Sequence, residues 1–197
     1  MDASLVICTG NPGKLVELQA LLPGHVRAIT LSDAGLPLDL PETGDTLQAN
    51  AEQKARYAFE RCGMPCVADD TGLEVNALNG APGVLSARYA GPEKSAEANM
   101  RKLLRELDGV AERRARFRTV IAYIDAEGVD FFEGEVRGTI IEAPRGTGGF
   151  GYDPIFLPEM SDLTFAELDS TRKNAISHRG QAMWKFARFM SEHHRAR

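Results

Sequence analysis

Two adjacent aspartates, Asp69 and Asp70, most constrain how this chain can fold. They follow an apolar run at residues 66–68, so a buried strand is expected to end at the pair. A buried carboxylate is costly unless it is paired, hydrogen-bonded or bound to a metal ion. Carboxylates at a strand end, with Gly72 as a turn residue, therefore predict a metal-binding or proton-transfer site. The alternative is a solvated Asp-Asp-Thr-Gly turn between two strands, because these residue types are common in turns.

Size, charge and cysteine usage limit the class of protein. The 197 residues suit a single domain, and the 43% of apolar residues suffice for a core. The formal net charge of −5 argues against a nucleic-acid partner, and no apolar run approaches the ~20 residues of a membrane-spanning helix, so no membrane partner is expected either. The three cysteines form no CxxC pair, so reduced thiols and a cytoplasmic location are expected.

Hydrophobic periodicity and turn residues predict a mixed α/β fold, with strands that alternate with helices and strands that pair as a hairpin. The predicted helices are residues 14–22, 46–62, 96–107 and 178–193, the second of them capped by Asp45. The predicted strands are residues 4–9, 26–31, 66–68, 117–124 and 129–141, the last two forming the hairpin. Loops are expected at residues 32–44, 79–92 and 146–151.

A small turn between the first strand and the first helix is a candidate phosphate site. It reads Thr9, Gly10, Asn11, Pro12, Gly13 and Lys14. Backbone N–H groups at a helix N-terminus favour an anion, and the lysine adds a positive charge. The turn resembles a P-loop but is not one, because Cys8 and Leu15 stand where that motif needs Gly and Ser or Thr. The alternative is a simple helix-entry turn.

A glycine-rich loop at residues 146–151 matches GxGxxG, but Pro154 is a poor start for the helix that a dinucleotide fold requires. A loop that presents Phe150 and Asp153 to a ligand fits better, with the aromatic ring available to a nucleobase. The alternative is that Phe150 and Tyr152 only anchor the loop to the core.

Two further groups are candidates. Lys173, His178 and Arg179 surround Ser177, a potential helix cap, and could bind phosphate or carbonyl oxygens. The alternative is a solvated helix end. Glu42 could join Asp69 or Asp70 around a hard cation, and ligands that are all oxygens suit Mg²⁺.

Taken together, these motifs resemble the inosine triphosphate pyrophosphatase family, which hydrolyses non-standard purine nucleoside triphosphates. The matching stretches lie in order along the whole chain: residues 9–14, 42–44, Asn50 with Lys54, and residues 68–75, 80–83, 86–89, 148–156 and 177–180. The ordered set is far more specific than any one motif. The resemblance makes Thr71 a substrate-binding residue; it stands where Ser is expected in many relatives, a mild departure that keeps the hydroxyl.

The resemblance implies an elongated α/β fold of two lobes within a single domain, a central active-site cleft, a homodimer and a Mg²⁺ requirement. Asp70 is then the general base and a metal ligand, and Glu42 the second ligand. The triphosphate would be held by residues 9–14, Lys54 and Lys173. The base would be held by Phe150, Gly151, Tyr152 and Asp153 with His178 and Arg179.

Hydrogen bonds suggest how a purine would be selected. Inosine and xanthine present a carbonyl oxygen, O6, and an N1–H group. His178 or Arg179 could donate to O6, and Asp153 could accept from N1–H. Adenine has neither group and would leave these side chains unpaired. Two other functions stay open: a nucleotide-binding regulator without hydrolysis, and a hydrolase of modified pyrimidine triphosphates. A substrate panel with product identification separates all three.

Overall fold

The computed structural model describes residues 3–193, except for the side chains of residues 3, 12, 13, 17, 21 and 193. Of two predicted site residues, Pro12 and Gly13, only the backbone thus belongs to the described part of the chain. Within that part there are six strands: β1 (Ala3–Ile7), β2 (Val26–Thr30), β3 (Cys66–Val75), β4 (Arg114–Ile124), β5 (Val129–Ile140) and β6 (Phe156–Pro158). The five α-helices are α1 (Pro12–Leu21), α2 (Leu47–Cys62), α3 (Ala96–Glu106), α4 (Ser170–Ile176) and α5 (His178–His193).

The strands form one open, mixed sheet in the order β2-β1-β3-β4-β5-β6. β1 pairs in parallel with β2 and β3, whereas β6 runs antiparallel to β5. Strands β4 and β5 are joined by a four-residue turn in which Asp125 N–H donates to the Gly128 carbonyl. This confirms the predicted mixed α/β class and its hairpin. Across residues 3–193, every helix is too short or too polar to traverse a lipid bilayer.

The chain divides into two compact units, and the described residues of unit 1 are 3–70, 119–133 and 181–193. Its core combines the parallel strands with the inward face of α5, on which Met183, Phe186 and Met190 are buried. The helix α2 begins at Thr46, whose hydroxyl accepts from the Ala49 N–H at 3.0 Å. It ends at Gly63 in the left-handed conformation, which glycine adopts without steric cost.

Unit 2 consists of residues 71–118 and 134–180. An aromatic group dominates its core, since the Phe117 ring packs edge-on against Phe156 at 4.7 Å between centroids and stacks with Phe165 at 6.0 Å. Helix α3 covers this core through Leu103 and Leu107 and is capped by Ser95. Each unit therefore has its own apolar centre, as independently packed units require.

Three local predictions are wrong, and one short helix was not predicted. β3 does not end at the aspartates but continues to Val75, so Gly72 lies within a strand rather than in a turn. Thr46, not Asp45, caps α2, because Thr46 has the extended backbone that a capping residue needs. Residues 79–92 include a 3₁₀ helix over Gly83–Arg88, and the seven-residue α4 was not predicted.

Candidate active site

The first candidate group, here called the carboxylate–lysine cluster, consists of Lys14, Glu42, Lys54, Asp69 and Asp70 in unit 1. Successive side chains of a strand point to opposite faces, so β3 directs its two adjacent aspartates in different directions. Each meets a lysine: Asp69 Oδ2 lies 2.6 Å from Lys14 Nζ, and Asp70 Oδ1 lies 3.5 Å from Lys54 Nζ. The pair therefore has cationic partners and is not the solvated turn that the sequence left open.

Lys54 is the centre of this cluster. Its side chain is only 9% exposed, and its ammonium donates to Glu42 Oε1 at 2.6 Å and to the Asp69 carbonyl at 2.8 Å. Burial disfavours the charged ammonium, but the carboxylates of Asp70, Asp69 and Glu42 outweigh burial and raise the pKa of Lys54. Lys54 therefore stays charged at neutral pH and brings three segments of the chain together.

Asp70 is the carboxylate whose bonding is least complete. Burial raises its pKa, Lys54 opposes that rise, and the nearby Glu42 carboxylate adds to it. Its Oδ2 is buried and accepts no hydrogen bond from any of the described residues. A buried carboxylate oxygen without a donor is unusual, and it suits a cation ligand or a catalytic group.

The oxygen donors of Glu42 and Asp70 fit a divalent cation. Among residues 3–193, no group of three or more His, Cys, Asp or Glu side chains is arranged to hold a metal ion. This is compatible with Mg²⁺, which is commonly bound by one or two carboxylates together with substrate phosphates and water. Zinc, which prefers four protein ligands in structural sites, fits these residues poorly.

The turn that precedes α1 is ordered by its own side chains. Thr9 Oγ1 accepts from the Asn11 N–H at 3.1 Å, and Asn11 Oδ1 accepts from the Lys14 N–H at 3.3 Å. A side chain at Gly10 would press against the Leu38 carbonyl oxygen, 3.2 Å from the added Cβ. The turn therefore fixes the start of α1, and with it the Lys14 side chain that reaches Asp69.

The second candidate group, here called the aromatic cluster, consists of Phe150, Asp153, Lys173 and Arg179 in unit 2. Asp153 is 3% exposed, and its Oδ2 accepts from the Phe150 N–H and from Lys173 Nζ, both at 2.6 Å. Lys173 Nζ lies 4.5 Å from the Phe150 ring centroid and the Arg179 guanidinium carbon lies 5.2 Å from it. Phe150 is 59% exposed, so its ring offers an open aromatic surface with two cations close to it.

The remaining predicted residues of unit 2 support this cluster from within. His178 is buried and stacks on the Phe117 ring at 4.8 Å, and the hydroxyl of buried Tyr152 donates to the Ser86 carbonyl at 2.9 Å. Ser177 Oγ accepts from the Gly180 N–H at 3.0 Å and so caps α5, as predicted. The cations near this helix start are mostly buried and are not a solvated helix end. Of the two loop aromatics, Tyr152 is an anchor and Phe150 is not.

Two predicted residues have a more limited description, and two others have contacts that bear on their predicted roles. Thr71, the first residue of unit 2, is partly buried in β3, and Gly151 has a left-handed backbone with φ of 62°. Lys173 was predicted to bind the triphosphate, yet its ammonium contacts Asp153 and Phe150. Asp153 was predicted to accept from the base, and since its Oδ2 already has two donors, Oδ1 is the oxygen left for that role.

Sequence reasoning assigned no role to two residues beside the carboxylate–lysine cluster. The Asn50 amide oxygen accepts from the Gly44 N–H at 2.8 Å, and the Gln53 amide bonds both the N–H and the hydroxyl of Thr43. The available signal was helical spacing, because residues 50, 53 and 54 share one face of α2. Asn50 was recognised only as part of the family resemblance.

Comparisons with known proteins agree with this architecture. The model of the Ham1 family matches residues 5–189. The chain is 53% identical over 187 residues to the dITP/XTP pyrophosphatase of Porphyromonas gingivalis, covering 94% of this chain and 96% of the relative. It is 46% identical over 192 residues to the dITP/XTP pyrophosphatase of Bacillus licheniformis, covering 95% and 98%.

Solved structures give the same result for the fold. The Staphylococcus aureus Ham1 protein superimposes with a TM-score of 0.92 at 40% identity, covering 96% of this chain and 99% of the other. A HAM1 protein from Coxiella burnetii gives a TM-score of 0.92 at 41% identity with the same coverage. These matches span nearly the full length on both sides and confirm the resemblance noted in the sequence. The chain belongs to the Ham1 family.

Proposed function

We propose that this chain is a Mg²⁺-dependent pyrophosphatase that hydrolyses non-standard purine nucleoside triphosphates (ITP, dITP and XTP) to the monophosphate and pyrophosphate. Membership of the Ham1 family and relatives named dITP/XTP pyrophosphatase support the reaction class. The observation that carries the proposal is Asp70, a buried carboxylate with a raised pKa and a hydrogen-bond-free oxygen beside Lys54. Such perturbed groups concentrate at functional sites.

The carboxylate–lysine cluster would receive the phosphates. A nucleoside triphosphate carries about four negative charges near neutral pH, so positive groups fixed before the substrate arrives supply most of the stabilisation of the transition state. Lys14 and Lys54 are such groups, since each ammonium is already held at 2.6 Å by a carboxylate. The turn formed by Thr9, Gly10 and Asn11 orders the start of α1 and so helps to position one of these cations, Lys14.

Asp70 would act as general base. In the proposed step, water attacks the α-phosphorus, the bond from that phosphorus to the bridging oxygen breaks, and pyrophosphate leaves with the bonding electron pair. Asp70 accepts the proton that the water releases. Burial raises the pKa of Asp70, and a carboxylate with a raised pKa is a better proton acceptor than an ordinary one.

Glu42 and Asp70 are the residues that would hold Mg²⁺. Bound there, Mg²⁺ would neutralise phosphate charge, which makes pyrophosphate a better leaving group. Lys54 contacts both carboxylates and keeps them close to each other despite their like charge. This arrangement supports a cation site that is completed by the substrate's own oxygens.

The aromatic cluster would receive the base. Phe150 offers a stacking surface, and Lys173 and Arg179 beside its ring are donors for a carbonyl such as O6. Asp153 holds both the Phe150 backbone and Lys173, so it fixes the donors, while its Oδ1 could accept from N1–H. Adenine would place an amino group where the cations require an acceptor, and mismatches of this kind reject the wrong substrate strongly.

The test is a substrate panel with product identification. ITP, dITP, XTP, GTP, ATP and a modified pyrimidine triphosphate are incubated with the protein and MgCl₂, and monophosphate and pyrophosphate are quantified. We expect fast turnover of ITP, dITP and XTP, and little of ATP. Binding of ITP without pyrophosphate release would instead indicate a nucleotide-binding regulator, and fastest turnover of the pyrimidine would indicate the third function.

The Asp70→Asn variant tests the mechanism. It should lose nearly all turnover while its circular dichroism spectrum stays that of the wild type. Asp130→Asn, an exposed position of unit 1 on β5, is the matched control and should keep wild-type rates. Wild-type turnover in Asp70→Asn would remove Asp70 from the mechanism. The homodimer implied by the resemblance and the cytoplasmic location expected from the cysteines stay predictions.

A further inference from the structure

One face of α2 holds the loop that carries Glu42. Asn50 Oδ1 accepts from the Gly44 N–H at 2.8 Å, and Gln53 Oε1 accepts from the Thr43 N–H at 2.9 Å. Gln53 Nε2 also donates to the Thr43 hydroxyl at 2.8 Å. Two side-chain amides therefore bind two successive backbone N–H groups, directly after the carboxylate that contacts Lys54.

Asn50 differs from Gln53 in its burial and in its second contact. Asn50 is 1% exposed, and its amide also interacts with the Asp70 carboxyl, where it favours the ionised form. One buried side chain thus contacts the backbone just after Glu42, and it lies one helical turn from Lys54, whose ammonium contacts both Glu42 and Asp70.

The loop approaches the helix too closely for any residue but glycine at position 44. A Cβ added to Gly44 would lie 2.7 Å from the Ala49 Cβ and 3.0 Å from Asn50 Oδ1. Real Cβ atoms do not come this close to a neighbouring carbon, so a side chain would push the loop away from Asn50. This close approach sets the distance between the loop backbone and α2.

We propose that Asn50 is a positioning residue for the hydrolysis. It fixes the Glu42 loop relative to the Asp70 carboxylate, so that the Glu42 and Asp70 carboxylates are placed for a divalent cation before substrate binds. The inference rests on the proposed function. If Asn50 has this role, replacing it changes the affinity of the protein for the cation. If Asn50 only packs the loop against the helix, replacing it leaves that affinity unchanged. Residues that orient metal ligands change metal affinity by roughly 10–100-fold when they are replaced.

The test uses Asn50→Leu, which keeps the approximate volume and removes both polar ends. Mn²⁺ binding to the nucleotide-free protein is measured by titration calorimetry, and ITP hydrolysis is measured as a function of Mg²⁺ concentration. We expect the Mn²⁺ dissociation constant and the half-saturating Mg²⁺ concentration to rise about tenfold. At saturating Mg²⁺ most of kcat should return. Glu52→Gln, on the same helix and paired with Arg56 at 2.6 Å, is the control and should match the wild type.

Gly44→Ala perturbs the same contact from the loop side and serves if Asn50→Leu does not fold. It should also weaken Mn²⁺ binding while leaving the far-ultraviolet circular dichroism spectrum unchanged. Gln53→Leu loosens the loop at Thr43 without touching Asp70, so its effect on Mn²⁺ affinity should be smaller than that of Asn50→Leu.

The outcomes separate the two proposals. Mn²⁺ affinity within twofold of the wild type in the folded Asn50→Leu or Gly44→Ala variant overturns the role of Asn50, as does a wild-type protein that binds no Mn²⁺ without nucleotide. A reduced kcat with an unchanged Mg²⁺ requirement also overturns it, because that is the behaviour of a merely structural residue. Failure of the wild type to hydrolyse ITP overturns the proposed function instead.

Discussion

Replacing Lys54 by Met should destabilise the protein, and added Mg²⁺ should restore part of the loss. Methionine preserves most of the lysine stem, so the change mainly removes the ammonium that contacts Glu42, Asp70 and the Asp69 carbonyl. Removing one partner of a buried ion pair costs about 3–5 kcal/mol. Since the Glu42 side chain is 33% exposed and can turn to water, the lower value applies, and we expect a loss of about 3 kcal/mol.

The pH dependence of this loss has a definite sign. Without Lys54 the pKa of Asp70 rises further, and a carboxyl whose folded pKa is raised loses stabilisation as the pH rises through that pKa. The difference between Lys54→Met and the wild type should therefore be largest at neutral pH and shrink toward about pH 4, where carboxyls become protonated.

The assay is urea unfolding followed by circular dichroism, with and without millimolar MgCl₂. Mg²⁺ should stabilise Lys54→Met more than the wild type, because a cation can replace the missing ammonium between the carboxylates. Lys185→Met, an exposed position on α5, is the control and should change stability by less than about 0.5 kcal/mol. A loss below about 1 kcal/mol in Lys54→Met would refute the view that Lys54 neutralises this cluster.

Three other changes probe separate parts of the molecule. Gly149→Ala should lower kcat/KM for ITP about tenfold, because φ is 71° and an added Cβ would collide with the Asp153 carboxylate, at a cost of about 1–2 kcal/mol; an unchanged kcat/KM would contradict this. Phe150→Leu should raise KM for ITP roughly tenfold through lost stacking, with kcat nearly unchanged, whereas an unaltered KM would show that the ring does not contact the base. Cys62 should react slowly with iodoacetamide at about pH 8 and faster at higher pH, because burial raises the pKa of its thiol. Mass spectrometry measures the labelling, and a rate at about pH 8 equal to that of free cysteine would disprove the raised pKa.

Periodicity was sufficient for the longer elements of the fold. Helices α2, α3 and α5 each carry an apolar stripe at helical spacing, so their existence and approximate bounds follow from local sequence. Helix α4 has only seven residues, which make fewer than two helical turns. A helix this short has no repeating apolar pattern by which the sequence could identify it. The capping residue of α2 was misplaced by one position because Asp45 and Thr46 are both suitable side chains, and only the backbone conformation selects between them.

The site was predictable in composition but not in its pairings. The cost of burying Asp69 and Asp70 indicated a functional pair, yet the partner of Asp69 is Lys14, which lies 55 positions earlier in the chain. The same limit applies to Lys173, whose partner Asp153 is 20 positions away. The local sequence shows which charged side chains exist. Whether they are buried, and which side chains they contact, depends on the tertiary structure. Because the partners of Asp69 and Asp70 could not be foreseen, β3 was expected to end at these aspartates. In the structure the strand continues through them to Val75.

Hydrolysis of ITP in water enriched in ¹⁸O tests the central claim most directly. If water attacks the α-phosphorus beside Asp70, mass spectrometry of the products will find the heavy oxygen in inosine monophosphate and none in pyrophosphate. Label in pyrophosphate, or release of single phosphates from the triphosphate end, would contradict the account of how the carboxylate–lysine cluster acts.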